Sequence, residues 1–256
     1  MRYCYIFYTH NTFANYHVDM ALESIKNQDN KDFKFDTFII YNNSNCIDTE
    51  YIVKKFHEMG LDKNFSTLIE WDTYPEANSV APDLQFQADN FINHDWYIVH
   101  KSDFYLPNHF LTEFRTDTSL WGTHPIYVNF AKFDLRETVV GDKVRDLAKF
   151  KRFDELASQP FACHTDNCKY PQNLSYDQVA IGYRGRNGVF DGVMHCYNDA
   201  ARKKIQFNSY WKDVDLIENR ARGIKMVIAR DKYYALHMFH DIGRTDPMKN
   251  HPGHRF

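Results

Sequence analysis

Trp96-Tyr-Ile-Val-His-Lys-Ser-Asp-Phe-Tyr-Leu-Pro107, running on into Asn108-His-Phe-Leu-Thr-Glu-Phe114, is the stretch that decides the fold. Its first half is aromatic and β-branched and reads as a buried strand. The strand ends on a carboxylate, Asp103, and the chain bends at Pro107 into a helix-like segment. An open α/β sheet places its ligand chemistry beyond the carboxyl ends of its strands. A lone acid in that place suits a hard cation carrying a diphosphate. The plainer alternative is that Asp103 only opens the turn before the proline.

The same alternation extends toward the amino terminus. Residues 3–8 form a β-rich run, and Val18, Ala21, Leu22 and Ile25 then mark one apolar helix face. Residues 35–41 read as a strand stopping at the loop-forming Asn42-Asn43-Ser44-Asn45, followed by a helix face of Ile52, Val53, Phe56 and Met59 that Gly60 caps. A third strand over 66–71 and a helix over 84–91 complete the approach to the strand at Trp96. Four strand and helix alternations argue for a mostly parallel sheet with helices on its faces.

Beyond Phe114 the pattern loosens. Residues 127–133 read as a strand, and 144–156 as a helix with strong positive charge. Ser175 and Gln178 form a capping-box pair that opens a helix over 176–183. A helix over 211–222, capped by Gly223, precedes a strand over 225–229, and a tail rich in His, Pro and Gly closes the chain from 245 to 256.

Composition bounds the function. At 256 residues the chain can bury one sizeable core. Its formal charge of −3 gives no global field that demands a nucleic acid or a membrane surface. It contains no run of about eighteen apolar residues, and residues 1–8 are too short and strand-like for a signal peptide. The expectation is therefore a soluble cytoplasmic protein without membrane insertion. Five cysteines, an odd number without a regular framework, fit a reducing compartment. The bias toward Tyr, Phe, Asn and Lys suits an AT-rich genome such as that of a large bacteriophage or DNA virus, in which case the compartment is the host cytoplasm. The oligomeric state is left open.

Four features come in a set order: Tyr8-Thr9-His10 ahead of a helix, Tyr41-Asn42-Asn43-Ser44, Ser102-Asp103 ahead of Pro107, and Ser175-Tyr-Asp-Gln-Val-Ala-Ile-Gly-Tyr-Arg184. Together, over roughly two thirds of the chain, they resemble the family 2 type of GT-A-fold glycosyltransferase. The resemblance implies an α/β single domain, with a GT-A-like, Rossmann-type, mostly parallel sheet flanked by helices. It implies a nucleotide-sugar donor held by Tyr8, Thr9, His10, Asn42, Asn43 and Lys101, with Arg244 adding a charge on the diphosphate. It also implies Mn2+ or Mg2+ on Asp103 and a histidine of the Tyr233–Arg244 segment, His237 or His240, and Asp177 as catalytic base. The chain departs from the pattern in three places. His100-Lys101-Ser102-Asp103 stands where two or three acids are usual, asparagines end the second strand where an aspartate is common, and Tyr176-Asp177 stands for Glu-Asp.

The chemistry explains why these residue types are wanted. Sugar transfer breaks the bond from the anomeric carbon to phosphate, so the leaving diphosphate needs positive charge. The acceptor hydroxyl needs a base within hydrogen-bond reach. A helix start keeps Asp177 ionised, although an acid there can equally serve only the helix dipole, worth roughly 0.3–1 kcal/mol. With one base and no obvious nucleophile, direct displacement is the simpler mechanism. Residues 1–114 are expected to form the nucleotide-sugar-binding half, 115–244 the acceptor-binding and catalytic half, and 245–256 a tail.

The acceptor is either a glycan or a hydroxymethylated base of phage DNA. The second version draws on the basic run Lys143–Arg152 and on Arg202-Lys-Lys204, which can track a phosphate backbone or be solvated helix faces. Two rivals stand beside the transferase reading. One is a catalytically inert nucleotide-sugar-binding domain. The other is a zinc-stabilised nucleic-acid-binding module built on Cys163, His164, Cys168, His195 and Cys196, against which stands the lack of a second matching cysteine pair.

Overall fold

A computed structural model of the chain describes residues 1–10, 15–44, 46–73, 80–134, 141–151, 194–207, 218–228 and 234–238. The first half alternates as the periodicity predicts. Strand β1 (Tyr3–His10) leads to α1 (Asn15–Lys26), β2 (Phe35–Asn43) to α2 (Thr49–Glu58), β3 (Phe65–Asp72) to α3 (Val80–Asn90), and β4 (Trp96–Lys101) follows. Gly60 lies just past α2 with φ of 72°, a left-handed conformation open to glycine at no steric cost. β5 (Phe104–Tyr105) and α4 (Phe110–Leu120) come next, then β6 (Ile126–Asn129), β7 (Ala131–Asp134), α5 (Asp142–Leu147), β8 (Met194–Asn198), α6 (Asp199–Arg202), β9 (Lys225–Ile228) and β10 (Tyr234–His237).

Seven strands form one sheet in the order β3-β2-β1-β4-β8-β6-β9. β1, β2, β3 and β4 run parallel, with Tyr8 level with Tyr41 on one side and with Lys101 on the other. β8 runs antiparallel to both β4 and β6, while β9 is parallel to β6. The sheet is therefore mostly parallel with one reversed strand.

The central strands are apolar on both faces because both faces are covered, as parallel sheets require. Along β1, Tyr3, Tyr5 and Phe7 pack with α1, α2 and α4, while Cys4, Ile6 and Tyr8 pack with α3 on the other side. Phe38 anchors the first face, its ring 4.7 Å from Phe56 and 4.8 Å from Phe65. The buried amide of Gln28 ties α1 to the far side of the Pro107 bend. Its Nε2 donates to the Pro107 carbonyl and its Oε1 accepts from the Leu111 N–H at the start of α4, each at 2.9 Å. That contact satisfies one of the orphan donors at a helix start.

Three expectations are corrected by the fold. The strand expected over 127–133 is two strands in different sheets. β6 joins the large sheet and β7 a small one in the order β5-β10-β7, and the chain turns the corner at Phe130, which is buried 5.1 Å from Phe110. β4 stops at Lys101, so Asp103 lies in the turn between β4 and β5 rather than on the strand. Of the helix expected over 144–156, the described part is α5, which ends at Leu147, and residues 152–156 lie outside the described residues. The helix expected over 176–183 lies outside the described residues. Among the described residues no helix is long and apolar enough to cross a membrane.

Candidate functional site

The strand order fixes where a ligand site belongs. From β1 the chain steps outward to β2 and β3, then returns across β1 to place β4 on its other side. Between β1 and β4 the connections leave in opposite directions, and such a switch point opens a crevice beyond the carboxyl ends of the strands. Tyr8, Thr9 and His10 line one side of that point, and Lys101, Ser102 and Asp103 the other. The N–H of Ser102 donates to the Tyr8 carbonyl at 2.9 Å, which carries the β1–β4 pairing into the turn.

The small sheet delivers His237 to the same place. β10 pairs with β5 so that His237 is level with Phe104, and the N–H of Met238 donates to the Asp103 carbonyl at 2.9 Å. The His237 ring stacks on Phe104 at 4.7 Å, with Nε2 3.4 Å from Asp103 Oδ2. Lys101 Nζ lies 2.6 Å from the same oxygen. The side chains of Lys101 and Asp103 are only 12% and 3% exposed, and an ion pair screened this little interacts far more strongly than one at the surface.

His100 locks the turn from below. A carbonyl can only accept, so Nε2 carries the proton it donates to the Phe104 carbonyl at 2.8 Å, and Nδ1 accepts from the Tyr5 hydroxyl at 2.6 Å. Burial holds the imidazole neutral, its pKa pushed down to about 4. The ring is thus a fixed neutral strut beneath Asp103.

On the β2 side, Thr9 Oγ1 accepts from the Asn43 N–H at 3.1 Å and donates to Asn42 Oδ1. Asn42 is committed to structure: its Nδ2 donates to the Ile47 carbonyl and to Thr49 Oγ1, each at 2.9 Å, holding the loop that starts α2. Asn43 differs. Its Nδ2 donates to Asp83, whereas its Oδ1 is buried with no hydrogen-bond partner among the described residues. A buried acceptor in that state costs free energy until something donates to it.

Asp83, on the first turn of α3, is the residue that the sequence reading missed. Its carboxylate accepts from Asn43, from the Tyr8 hydroxyl at 2.6 Å and from the Tyr41 hydroxyl at 3.3 Å. Burial and this neighbouring charge both raise the Tyr41 phenol above its ordinary range. By sequence alone Asp83 looks like an acid complementing a helix dipole, and only the crossing of α3 over β1 and β2 gives it three donors.

Of the expected site residues, Tyr8, Thr9, Asn42, Asn43, Lys101, Asp103 and His237 gather at the strand ends, and His10 closes β1. Asp177, His240 and Arg244 lie outside the described residues. The described donors do not make a divalent-cation site. Asp103 and His237 supply one carboxylate and one imidazole, and the facing carboxylate oxygen is already held by an ammonium. No group of three or more His, Cys, Asp or Glu able to hold a metal occurs among the described residues, whereas Mg2+ and Mn2+ favour several oxygens.

The proposed zinc cluster is not assembled in its described part. His195 and Cys196 are neighbours on β8 and face opposite sides of the sheet. His195 packs against both Tyr127 and Tyr197 on one face, while Cys196 belongs to the core on the other. Burial pushes the Cys196 thiol well up, away from the thiolate a metal needs. Cys163, His164 and Cys168 lie outside the described residues. Four described residues of the two basic runs are paired internally: Arg145 with Glu23 at 2.6 Å and Asp142 at 2.7 Å, Lys149 with Asp146 at 2.7 Å, and Arg202 and Lys203 with Asp199 at 2.8 and 2.5 Å.

No protein-family profile and no curated protein sequence matches the chain. Solved structures do. S. aureus TarS 1–349 in complex with UDP superposes with a TM-score of 0.54 at 14% identity, over 93% of this chain and 61% of that one. The same protein in complex with UDP-GlcNAc gives 0.52 at 13% identity, over 94% and 59%. The mannosyltransferase PcManGT from Pyrobaculum calidifontis, in complex with GDP-Man and Mn2+, gives 0.53 at 13% identity, over 94% and 58%. The chain thus spans about three fifths of the length of these structures. At such identities the likeness speaks to architecture, and the architecture is the GT-A fold: a mostly parallel α/β sheet flanked by helices.

Proposed function

We propose that the protein transfers a sugar from a nucleotide-sugar donor to an acceptor hydroxyl by direct displacement. The observation that carries this reading is the convergence, at the β1–β4 switch point, of two sets of groups. One is the Thr9, Asn42, Asn43 and Asp83 network, and the other is Lys101, Asp103 and His237. The first offers hydrogen-bonding groups to a nucleoside, including the unsatisfied Asn43 Oδ1, and the second offers positive charge to a leaving diphosphate. UDP, UDP-GlcNAc and GDP-Man in structures of the same fold support a donor of this class.

In this reading residues 1–114 hold the donor, and 115–244 supply the acceptor side with Asp177 as the base that takes the hydroxyl proton. Arg244 adds charge to the diphosphate. The sequence expectation of Mn2+ or Mg2+ on Asp103, His237 and His240 is not carried into this reading, since Lys101 already holds the facing Asp103 oxygen, and no step here depends on a metal. A glycan is favoured over phage DNA as acceptor, because Arg145, Lys149, Arg202 and Lys203 of the two basic runs each pair with an acid of their own, which leaves fewer charges for a phosphate backbone.

A panel of nucleotide sugars tested by thermal shift checks the reading, since a donor that binds only the folded state must raise its melting temperature. The matching donor is expected to release its nucleoside diphosphate when acceptor is added. If a donor binds but releases nothing with any acceptor, the inert binding domain replaces the transferase. Retention of duplex DNA on filters at low salt would return the DNA acceptor to first place.

A further inference from the structure

The Lys101–Asp103 pair poses a question that the fold does not answer by itself: what neutralises the diphosphate. Lys101 is the last residue of β4, level with Tyr8, and so ends its strand at the switch point. Three features hold it there. Asp103 Oδ2 takes one of its N–H donors at 2.6 Å, the pair is nearly closed to solvent, and the His100 strut fixes the turn that carries Asp103. An ammonium has three donors, so two remain for oxygens outside the pair. A divalent cation bound to the same Asp103 oxygen at its usual distance would lie within about 5 Å of Nζ, where the two positive charges repel.

We infer that the Lys101 ammonium, positioned by Asp103, takes the place of a divalent cation on the diphosphate, so that the protein binds its nucleotide without metal. This rests on the nucleotide-sugar reading above. Lys101 is then a binding residue that touches the diphosphate, and Asp103 is a positioning residue that acts through it rather than a metal ligand. A lysine serves phosphate as a mobile point charge, and the short tether to Asp103 removes much of the freedom that would otherwise be lost on binding.

The test is calorimetric titration of the full-length protein with UDP and with GDP, in EDTA and again in Mn2+. Affinity for the nucleotide that binds is expected to agree within about threefold between the two conditions. Lys101→Met should weaken binding about tenfold or more in both, and Mn2+ should not restore it. Lys101→Arg keeps the charge and should recover most of the affinity in EDTA, which separates loss of charge from loss of fold; circular dichroism melts on each variant check the latter. A drop of about tenfold or more on adding EDTA to the unaltered protein overturns the inference while leaving the nucleotide reading intact. So does Lys101→Met binding as well as the unaltered protein in Mn2+. If neither nucleotide binds in either condition, the nucleotide-sugar reading falls and takes the inference with it.

Discussion

Two buried polar clusters sit on the same sheet and are built on opposite principles. At the carboxyl ends of β1, β2 and β4, hydroxyl, amide and charged side chains are held in hydrogen bonds, Thr9 with Asn42, Asn43 and Tyr8 with Asp83, and Lys101 with Asp103. On β6 and β8, His195 and Tyr197 are just as buried, yet among the described residues neither His195 nitrogen nor the Tyr197 hydroxyl has a hydrogen-bond partner. Their rings are stacked instead, Tyr97 on Tyr197 at 5.2 Å and Tyr127 on His195 at 5.1 Å. The α3 amide of Gln87, fully buried and unbonded at both ends, belongs to the same class. The difference teaches where polarity does chemistry. The strand-end cluster holds ionised groups in fixed geometry, at a cost in desolvation that a ligand site justifies. The β6–β8 cluster uses polar residues for the area of their rings and leaves their polar atoms as a stability debt.

The largest expected effect lies in acid. His195, with no partner, is held neutral by burial, its pKa pushed down to about 3, and His100 stands at about 4. Between those values and the ordinary imidazole value near 6.5 the unfolded chain binds protons that the folded chain refuses. Stability is therefore fully present above about pH 6.5 and falls as the pH drops toward 4, each ring contributing a loss on the order of 3 kcal/mol. Urea unfolding followed from about pH 7 to about pH 4 measures this through the midpoint. A flat midpoint over that range would mean that neither ring is as dry as its burial indicates.

Asp103→Asn comes next. It strands the Lys101 ammonium in a nearly closed site and should cost about 3 kcal/mol of stability, while the Asp103→Asn, Lys101→Met double variant should recover most of it. Additive losses in that cycle would erase the distinction between a coupled ionic cluster and a set of independent side chains. The smallest effect has the opposite sign. His195→Phe keeps the stacked ring and removes two unsatisfied nitrogens, so it should stabilise by about 1 kcal/mol and lessen the acid sensitivity. If it destabilises, an unseen partner satisfies His195 and the two clusters are more alike than they look.

Legibility in the sequence followed the reach of the forces involved. The alternation up to β4 could be read because strand and helix periods are local, and because a sheet covered on both faces writes near-continuous apolar runs. The break at Phe130 could not, since the run from Tyr127 to Phe133 has the composition of one strand and only its packing against Phe110 divides it. β8 was not anticipated: Asp191-Gly192 before it and the Asn198 cap after it are turn and cap signals, but a strand of five residues is too short to show a period between them. Of the site, Asp103 and Lys101 were visible as a charged strand end, and His237 as a histidine in an aromatic segment. Asp83 was not, because its three partners come from residues 8, 41 and 43.

By itself the sequence determined which segments become strands and helices in the first half, and that polar groups crowd where β1, β2 and β4 end, because each of those facts is set by neighbours within a few residues. Only the tertiary structure decided that β4 returns to the far side of β1, that His237 arrives on a second sheet, and that Asp103 lies between the Lys101 ammonium and the His237 ring. Those outcomes depend on contacts between distant residues, and the gain from such contacts is realised only once the chain between them has closed.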